Sequence, residues 1–211
     1  MDRVQSFKSD LAHKIPSRFY NANHEKWLNE TLLQNTRLVI EPKIEGIGIN
    51  LFYENGMLIK AVTNTGLNQS KVVRSSNLVS DYLPISSSIQ IQGIFYLGLK
   101  NDKVRNRKIN KNLKSLLKLN NVNFCAFHIL NSDLNHSSQL IALKKLSFNI
   151  PDSEHTKSTK QISLYRHLWK SGYLFRGYPT EGIIIKVNSR KLQKQLGNNQ
   201  IFWNWAYAIK D

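Results

Sequence analysis

Three short stretches set charged residues inside runs that otherwise read as β-strand: EPKIEG at residues 41–46, TEGIIIKVN at 180–188 and NWAYAIK at 204–210. Lys43 is the residue with the clearest chemical implication. It follows a proline, precedes Glu45 and Gly46, and is flanked in sequence by Ile40, Ile44, Ile47 and Ile49. An ordinary lysine, with a pKa near 10.4, carries a free amine in only about one molecule in a few thousand at pH 7. Apolar walls and neighbouring cations favour the uncharged amine, which is a nucleophile. Glu181 with Lys186, and Lys210 at the far end, are the other candidates. Taken singly, each segment is equally readable as a turn glutamate or a solvated strand lysine.

The elements that must position these residues are legible in the spacing. From Leu38 the chain alternates apolar and polar residues, and LVIEPKIEGIGINLFYENGMLIKAVTN predicts two strands joined at Glu54-Asn55-Gly56, since Asn-Gly between alternating runs is a strong hairpin signal. A loop and a short helix follow, then a strand in SIQIQGIFYLGLK and a buried one in VNFCAFHIL. SSQLIALKKLSF and KQISLYRHLWKSG read as helices, TEGIIIKVNS and NWAYAIKD as the last strands. Residues 1–15 suit a short helix, and NHEKWLNETLLQN from Asn23 a capped amphipathic one. Local antiparallel connections with helices between them imply an α+β fold rather than a doubly wound one.

The composition sets the outer bounds. With 211 residues and 41% hydrophobic content, the chain can bury a sizeable core as one domain. Thirty Lys and Arg against fourteen acidic residues give a formal charge of +16, which favours a polyanionic partner, nucleic acid before an anionic membrane surface. The basic residues are densest from Lys100 to Lys118, where Lys103, Arg105, Arg107, Lys108, Lys111 and Lys114 are candidate phosphate contacts. The lone Cys125 cannot form an intramolecular disulfide and suits a reducing cytoplasm. Neither a signal peptide nor a membrane span is visible, and the six histidines lack zinc-ligand spacing.

In this order the segments resemble the adenylation domain of the NAD-dependent bacterial DNA ligases. EPKIEGIGINLFYENGMLIKAVT is similar to that family's K-x-D-G strand and Y-E-N-G hairpin. IQIQGIFYLG resembles its G-E-V/I-F/Y-L strand, TEGIIIKVN its D-G-V-V-I-K-V-N strand, and NWAYAIKD its W-A-x-A-x-K segment. The resemblance covers about residues 16–211 and is closest to the shorter second bacterial type. It implies a nucleotidyltransferase fold, ATP-grasp-like, with antiparallel sheets and flanking helices. It also implies that Lys43 attacks the α-phosphorus of NAD to form a lysyl-AMP, with Mg2+ as the metal and ATP as the alternative donor. Lys186 and Lys210 would supply the positive field and charge for the phosphate oxygens. Glu181 would be the acidic residue near metal and lysine, Glu41 the adenine contact, and Glu45, Gly46 and Gly93 part of the nucleotide site.

The departures are equally specific. Asn64 stands where the family's hairpin carries an arginine, and Ile94 where it has the carboxylate that binds ribose; Arg74, nearby, is a candidate substitute for the arginine. Fifteen residues before the domain are too few for the family's NMN-binding element, and the sequence ends at Asp211 without its OB-fold. The expectation is therefore a truncated or split DNA ligase core, acting on nicked duplex DNA in the cytoplasm, with a second ligase subunit supplying the OB-fold. The competing expectations are a catalytically weak ligase-fold protein that holds nucleic acid by charge, and an adenylyltransferase of another class that uses ATP.

Overall fold

Strand alternation is realised as two sheets that share one continuous stretch of chain. The structure is a computed structural model, and it describes residues 17–19, 27–28, 36–99, 112–198 and 203–210. Strand β2 (Leu38–Ile44) belongs to one sheet, and β3 (Ile47–Glu54) begins the other three residues later. The chain crosses between sheets at Glu45-Gly46. The hairpin from β3 to β4 (Met57–Thr63) turns at Asn55 and Gly56 with φ of 48° and 78°, the pair of positive values that a two-residue type I′ turn requires.

The four-stranded sheet has the order β4-β3-β5-β6, with β5 spanning Ile89–Leu97 and β6 Val122–Ile129, all antiparallel. The five-stranded sheet has the order β1-β9-β8-β2-β7. Its members β8 (Thr180–Val187) and β9 (Ala206–Lys210) are the strands expected from the sequence. Two three-residue edge strands were not expected: β1 (Ser17–Phe19), parallel to β9, and β7 (Glu154–Thr156), antiparallel to β2. Three residues are too few to display a period of two.

The helices are α1 (Ser70–Arg74), α2 (Leu113–Leu116), α3 (His136–Lys145), α4 (Thr159–Lys170) and α5 (Arg190–Leu196). Asn112 caps α2 by accepting from Ser115 N at 3.2 Å, and Ser189 caps α5 by accepting from Leu192 N at 3.3 Å. The last of these helices was not foreseen. The helix expected from Asn23 lies mostly outside the described residues; of it, Trp27 and Leu28 are described and helical, and the Trp27 ring stacks on Tyr207 at 5.3 Å. The segment 1–15 lies wholly outside them.

Each sheet has its own core, and this decides which faces are left for chemistry. Ile49, Leu51 and Tyr53 of β3 and Ile91 and Phe95 of β5 pack with Leu140 and Leu143 of α3. Leu38 and Ile40 of β2 and Ile183, Ile185 and Val187 of β8 pack with Ile162 of α4 and with Trp203 and Trp205. Because strand side chains alternate, the remaining residues of the same strands share the opposite faces: Glu41 and Lys186 on one sheet, Gly48, Asn50, Gln92 and Ile94 on the other. Those two faces border a common cleft.

Candidate active site

Lys43 owes its position to an irregularity. In the β2–β8 register Pro42 faces Ile183 and Ile44 faces Thr180, so β8 carries one extra residue, a bulge in which Glu181 and Gly182 together stand opposite Lys43. Bulges re-aim side chains, and a proline without an N–H is tolerated at such a place. Just beyond, Glu45 N donates to Pro179 O at 2.7 Å and fixes the crossover. The cleft entered here holds about 320 Å³, and Lys43, Glu45, Gly46, Asn64, Gln92, Ile94, Glu181 and Lys186 are among its lining. That volume is at the small end of the range for ligand sites.

Two charge clusters meet there. In the outer one, Lys43 Nζ donates to Glu181 Oε1 at 2.5 Å and Lys210 Nζ to Glu181 Oε2 at 3.0 Å. All three are partly exposed. Burial pushes the Glu181 carboxyl up, but the hydrogen bonds and charges of Lys43 and then Lys210 outweigh it and hold the group below its ordinary 4.5. Counting charges, the cluster carries one net positive charge. An incoming phosphate would meet that excess.

The inner cluster is fully buried. Lys186 Nζ donates to Glu41 Oε2 at 2.6 Å, and His136 hydrogen-bonds the other oxygen, Oε1. Burial raises the Glu41 carboxyl, yet Lys186 and His136 bring it to about 2. Burial lowers His136, helped by the charge of Lys186. A neutral His136 therefore donates through Nε2–H, while its Nδ1 has no partner among the described residues. Lys186 Nζ also lies 5.0 Å from the centre of the Phe127 ring, a cation–π distance.

The structure brings Lys43, Glu181, Lys186, Lys210, Glu41, Glu45 and Gly46 to this one region, although the bonded partners Glu41 and Lys186 alone are 145 residues apart in sequence. Lys210 reaches the cleft through Glu181 rather than by lining it. Other expectations are altered. Ile40 and Ile49 point into the two cores, so the immediate partner of Lys43 is a carboxylate and not a ring of isoleucines. Both oxygens of Glu41 are already engaged by Lys186 and His136. Gly93 sits on the core face of β5, where a Cβ would fall 2.2 Å from Phe124 Cζ, and it is absent from the cleft lining.

Arg74, expected as a stand-in for an arginine at the nucleotide, is not among the residues that line the cleft. Its guanidinium hydrogen-bonds Leu58 O and stands 4.0 Å from Asp81. Asn64 and Ile94 do line the cleft, and among the described residues no group of three His, Cys, Asp or Glu side chains is placed to hold a metal ion. Of the six basic residues picked out between 103 and 114, only Lys114, exposed on α2, lies within the described residues. His136 was missed by sequence reasoning. The available signal was its spacing, because His136, Gln139, Leu140 and Leu143 repeat at i, i+3, i+4 and i+7 and are all buried.

Three amide oxygens complete the picture. Asn50 Oδ1, Asn64 Oδ1 and Gln92 Oε1 are buried with no hydrogen-bond partner among the described residues. An unpaired buried acceptor costs about 1–3 kcal/mol, so a ligand bearing hydrogen-bond donors would relieve a cost already present. The polar set thus fits both parts of a nucleotide, with lysines for the phosphates and neutral acceptors for the nucleoside.

Comparison with known proteins gives a consistent answer. The family described as NAD-dependent DNA ligase adenylation domain matches residues 17–126. A DNA ligase of Wigglesworthia glossinidia brevipalpis is 29% identical over 89% of this chain and 38% of its own length, and one from Mycoplasmopsis pulmonis is 25% identical over 87% and 31%. The chain thus spans about a third of the length of the curated relatives it matches. Among solved structures, a Naegleria gruberi RNA ligase with ATP and manganese gives a TM-score of 0.58 at 10% identity, covering 97% of this chain and 57% of that one. An archaeal ATP-dependent RNA ligase gives 0.53 at 13% identity, over 87% and 44%. At such identities the likeness concerns the fold.

Proposed function

The chain belongs to the NAD-dependent DNA ligase adenylation domain family, and we propose that it is the nucleotidyltransferase core of a DNA ligase in which Lys43 becomes adenylated from NAD. The observation that carries this reading is the pairing of Lys43 with Glu181 at the mouth of the cleft, with Lys210 on the same carboxylate. In the step, Lys43 Nζ attacks the α-phosphorus and a P–N bond forms. The bond from that phosphorus to the bridging oxygen breaks, and nicotinamide mononucleotide leaves with the electron pair. The amine's proton departs by way of Glu181 or water.

Glu181 aims Lys43 before the reaction, and Lys210 supplies charge to the phosphoryl oxygens. Lys186, held by Glu41, forms the buried floor. Glu181 or Glu45 would hold a magnesium ion, which would supply positive charge to the reacting phosphates, in keeping with that ion's habit of keeping few protein ligands. The adenylyl group would then pass to nicked duplex DNA in the cytoplasm, with an OB-fold supplied elsewhere in a longer chain or by a second subunit. ATP is the competing donor, supported by the ATP-dependent enzymes that share the fold.

Incubation with adenylate-labelled NAD or ATP and Mg2+, followed by a denaturing gel, tests the reading. Label is expected on the wild type and absent from both Lys43→Ala and Lys43→Arg, since a guanidinium does not surrender its proton. Label kept by both variants would remove Lys43 from the chemistry. A second reading, a catalytically weak ligase-fold protein that holds nucleic acid, draws on Asn64 and Ile94 standing where the family carries charged groups. It predicts nicked-duplex binding with no label from either nucleotide.

A further inference from the structure

The cleft face of the four-stranded sheet carries amides where a nucleotide-binding surface would ordinarily carry charge. In the β3–β5 register Asn50 faces Gln92 and Gly48 faces Ile94. Asn64, just past β4, donates its N–H to Gly48 O at 3.3 Å, and its side chain lies over Gly48, where a Cβ would fall 2.3 Å from Nδ2. Asn50 and Gln92 are only 3% and 2% exposed. The side-chain oxygens of Asn50, Gln92 and Asn64 all lack a partner among the described residues, and Gln92 and Asn64 line the same cleft as Lys43.

Buried polar atoms are almost always paired, so three unpaired acceptors on one sheet face point to an absent donor. An amide oxygen accepts and does not donate. Phosphate oxygens cannot satisfy it; a hydroxyl or an amine can. The charges on the opposite wall have the reverse preference, because the lysines there donate. The cleft is therefore divided into a donor end and an acceptor end.

We propose that Gln92 and Asn64 form a neutral acceptor subsite for the nucleoside half of the bound nucleotide, accepting from its sugar hydroxyls or its ring amine. This rests on the reading of the cleft as a nucleotide site and adds which end of the ligand lies where. Ile94, on the same face, contributes apolar contact beside the amides. Two neutral hydrogen bonds thus take the place of a charged contact, and ligand recognition on this wall becomes independent of the charge of the protein.

Calorimetric titration of the full chain with AMP, 2′,3′-dideoxy-AMP and IMP tests this, comparing wild type with Gln92→Met and Asn64→Ala. The wild type is expected to bind AMP about tenfold more tightly than one of the two analogues. Loss against the dideoxy compound identifies the sugar hydroxyls, and loss against IMP the ring amine. In at least one variant that gap should close. Melting of free Gln92→Met should occur at or above the wild-type temperature, because the oxygen removed had no partner. A gap that is absent in wild type, or unchanged in both variants, overturns the proposal and leaves the amides to water. Failure of wild type to bind AMP at all would sink the nucleotide-site reading as well, whereas binding without discrimination sinks the subsite alone.

Discussion

Removing one member of the buried Glu41–Lys186–His136 set strands the others, because each is completed by its neighbours. Glu41→Gln leaves the Lys186 ammonium buried without its counter-charge, and the expected cost is about 3–5 kcal/mol in urea unfolding. The double variant Glu41→Gln/Lys186→Met should recover most of that loss; equal instability in single and double would mean the charges do not couple. The same residues set an acid limit. Glu41 titrates at about 2 in the folded chain against its ordinary 4.5, so its stabilisation is complete above 4.5 and disappears as the pH falls through 2. Burial also lowers His136 and His128 from 6.5. Unfolding lets them bind protons, so stability falls as the pH drops below 6.5. A urea midpoint level above about pH 7 and declining below 6.5 is expected, with the decline between 6.5 and 5 flattened in His128→Gln/His136→Gln. A decline of unchanged steepness in that variant would assign the acid limit to other groups.

At the scale of elements, the long strands and their hairpin were legible, because seven or eight residues of alternation declare both a strand and its two faces. β1 and β7 were not, and neither was the bulge in β8 opposite Lys43, which depends on the register between β2 and β8. For the candidate site, the sequence singled out Lys43, Glu181, Lys186 and Lys210, which the structure brings to one region, but not that one carboxylate serves two of these lysines. Gly93 was assigned to the nucleotide when strand parity turns it to the core. Gly182 shows how closely the elements hold the site. It faces Lys210 across β8 and β9, and a Cβ there would lie 2.1 Å from Ile209 O. Gly182→Ala should force β9 away, cost about 1–3 kcal/mol as overpacking, and reduce Lys43 labelling through the displaced Lys210. Gly177→Ala, where an added Cβ meets nothing within 4 Å, is the control. Equal melting temperatures and labelling for the two variants would show that β9 adjusts freely.

For the whole molecule, the fold class followed from local connections and the alternation of strands with helices, whereas the opposition of two sheets across a cleft required contacts distant in sequence. Net charge is the one global property that sequence gives outright, and +16 on 211 residues has a thermodynamic consequence. If nicked duplex is the partner, phosphate neutralisation should dominate affinity, and the logarithm of the binding constant should fall with log salt by about 0.9 for each phosphate contacted. Base sequence should matter little, since phosphate contacts position a protein without reading bases. The dense basic run tests where this charge acts. Replacing Lys103, Arg105, Arg107 and Lys108 together with Ala should weaken binding and shallow the slope by up to about four such increments, measured on nicked duplex at several salt concentrations. Lys114, exposed on α2, should behave likewise if the contact extends into the described part of the chain. The four-residue variant should still take label at Lys43, because the proposed adenylation draws on the lysines of the cleft. Unchanged affinity and slope would move the DNA contact away from this run, and loss of label together with DNA binding would show that the run supports the cleft itself.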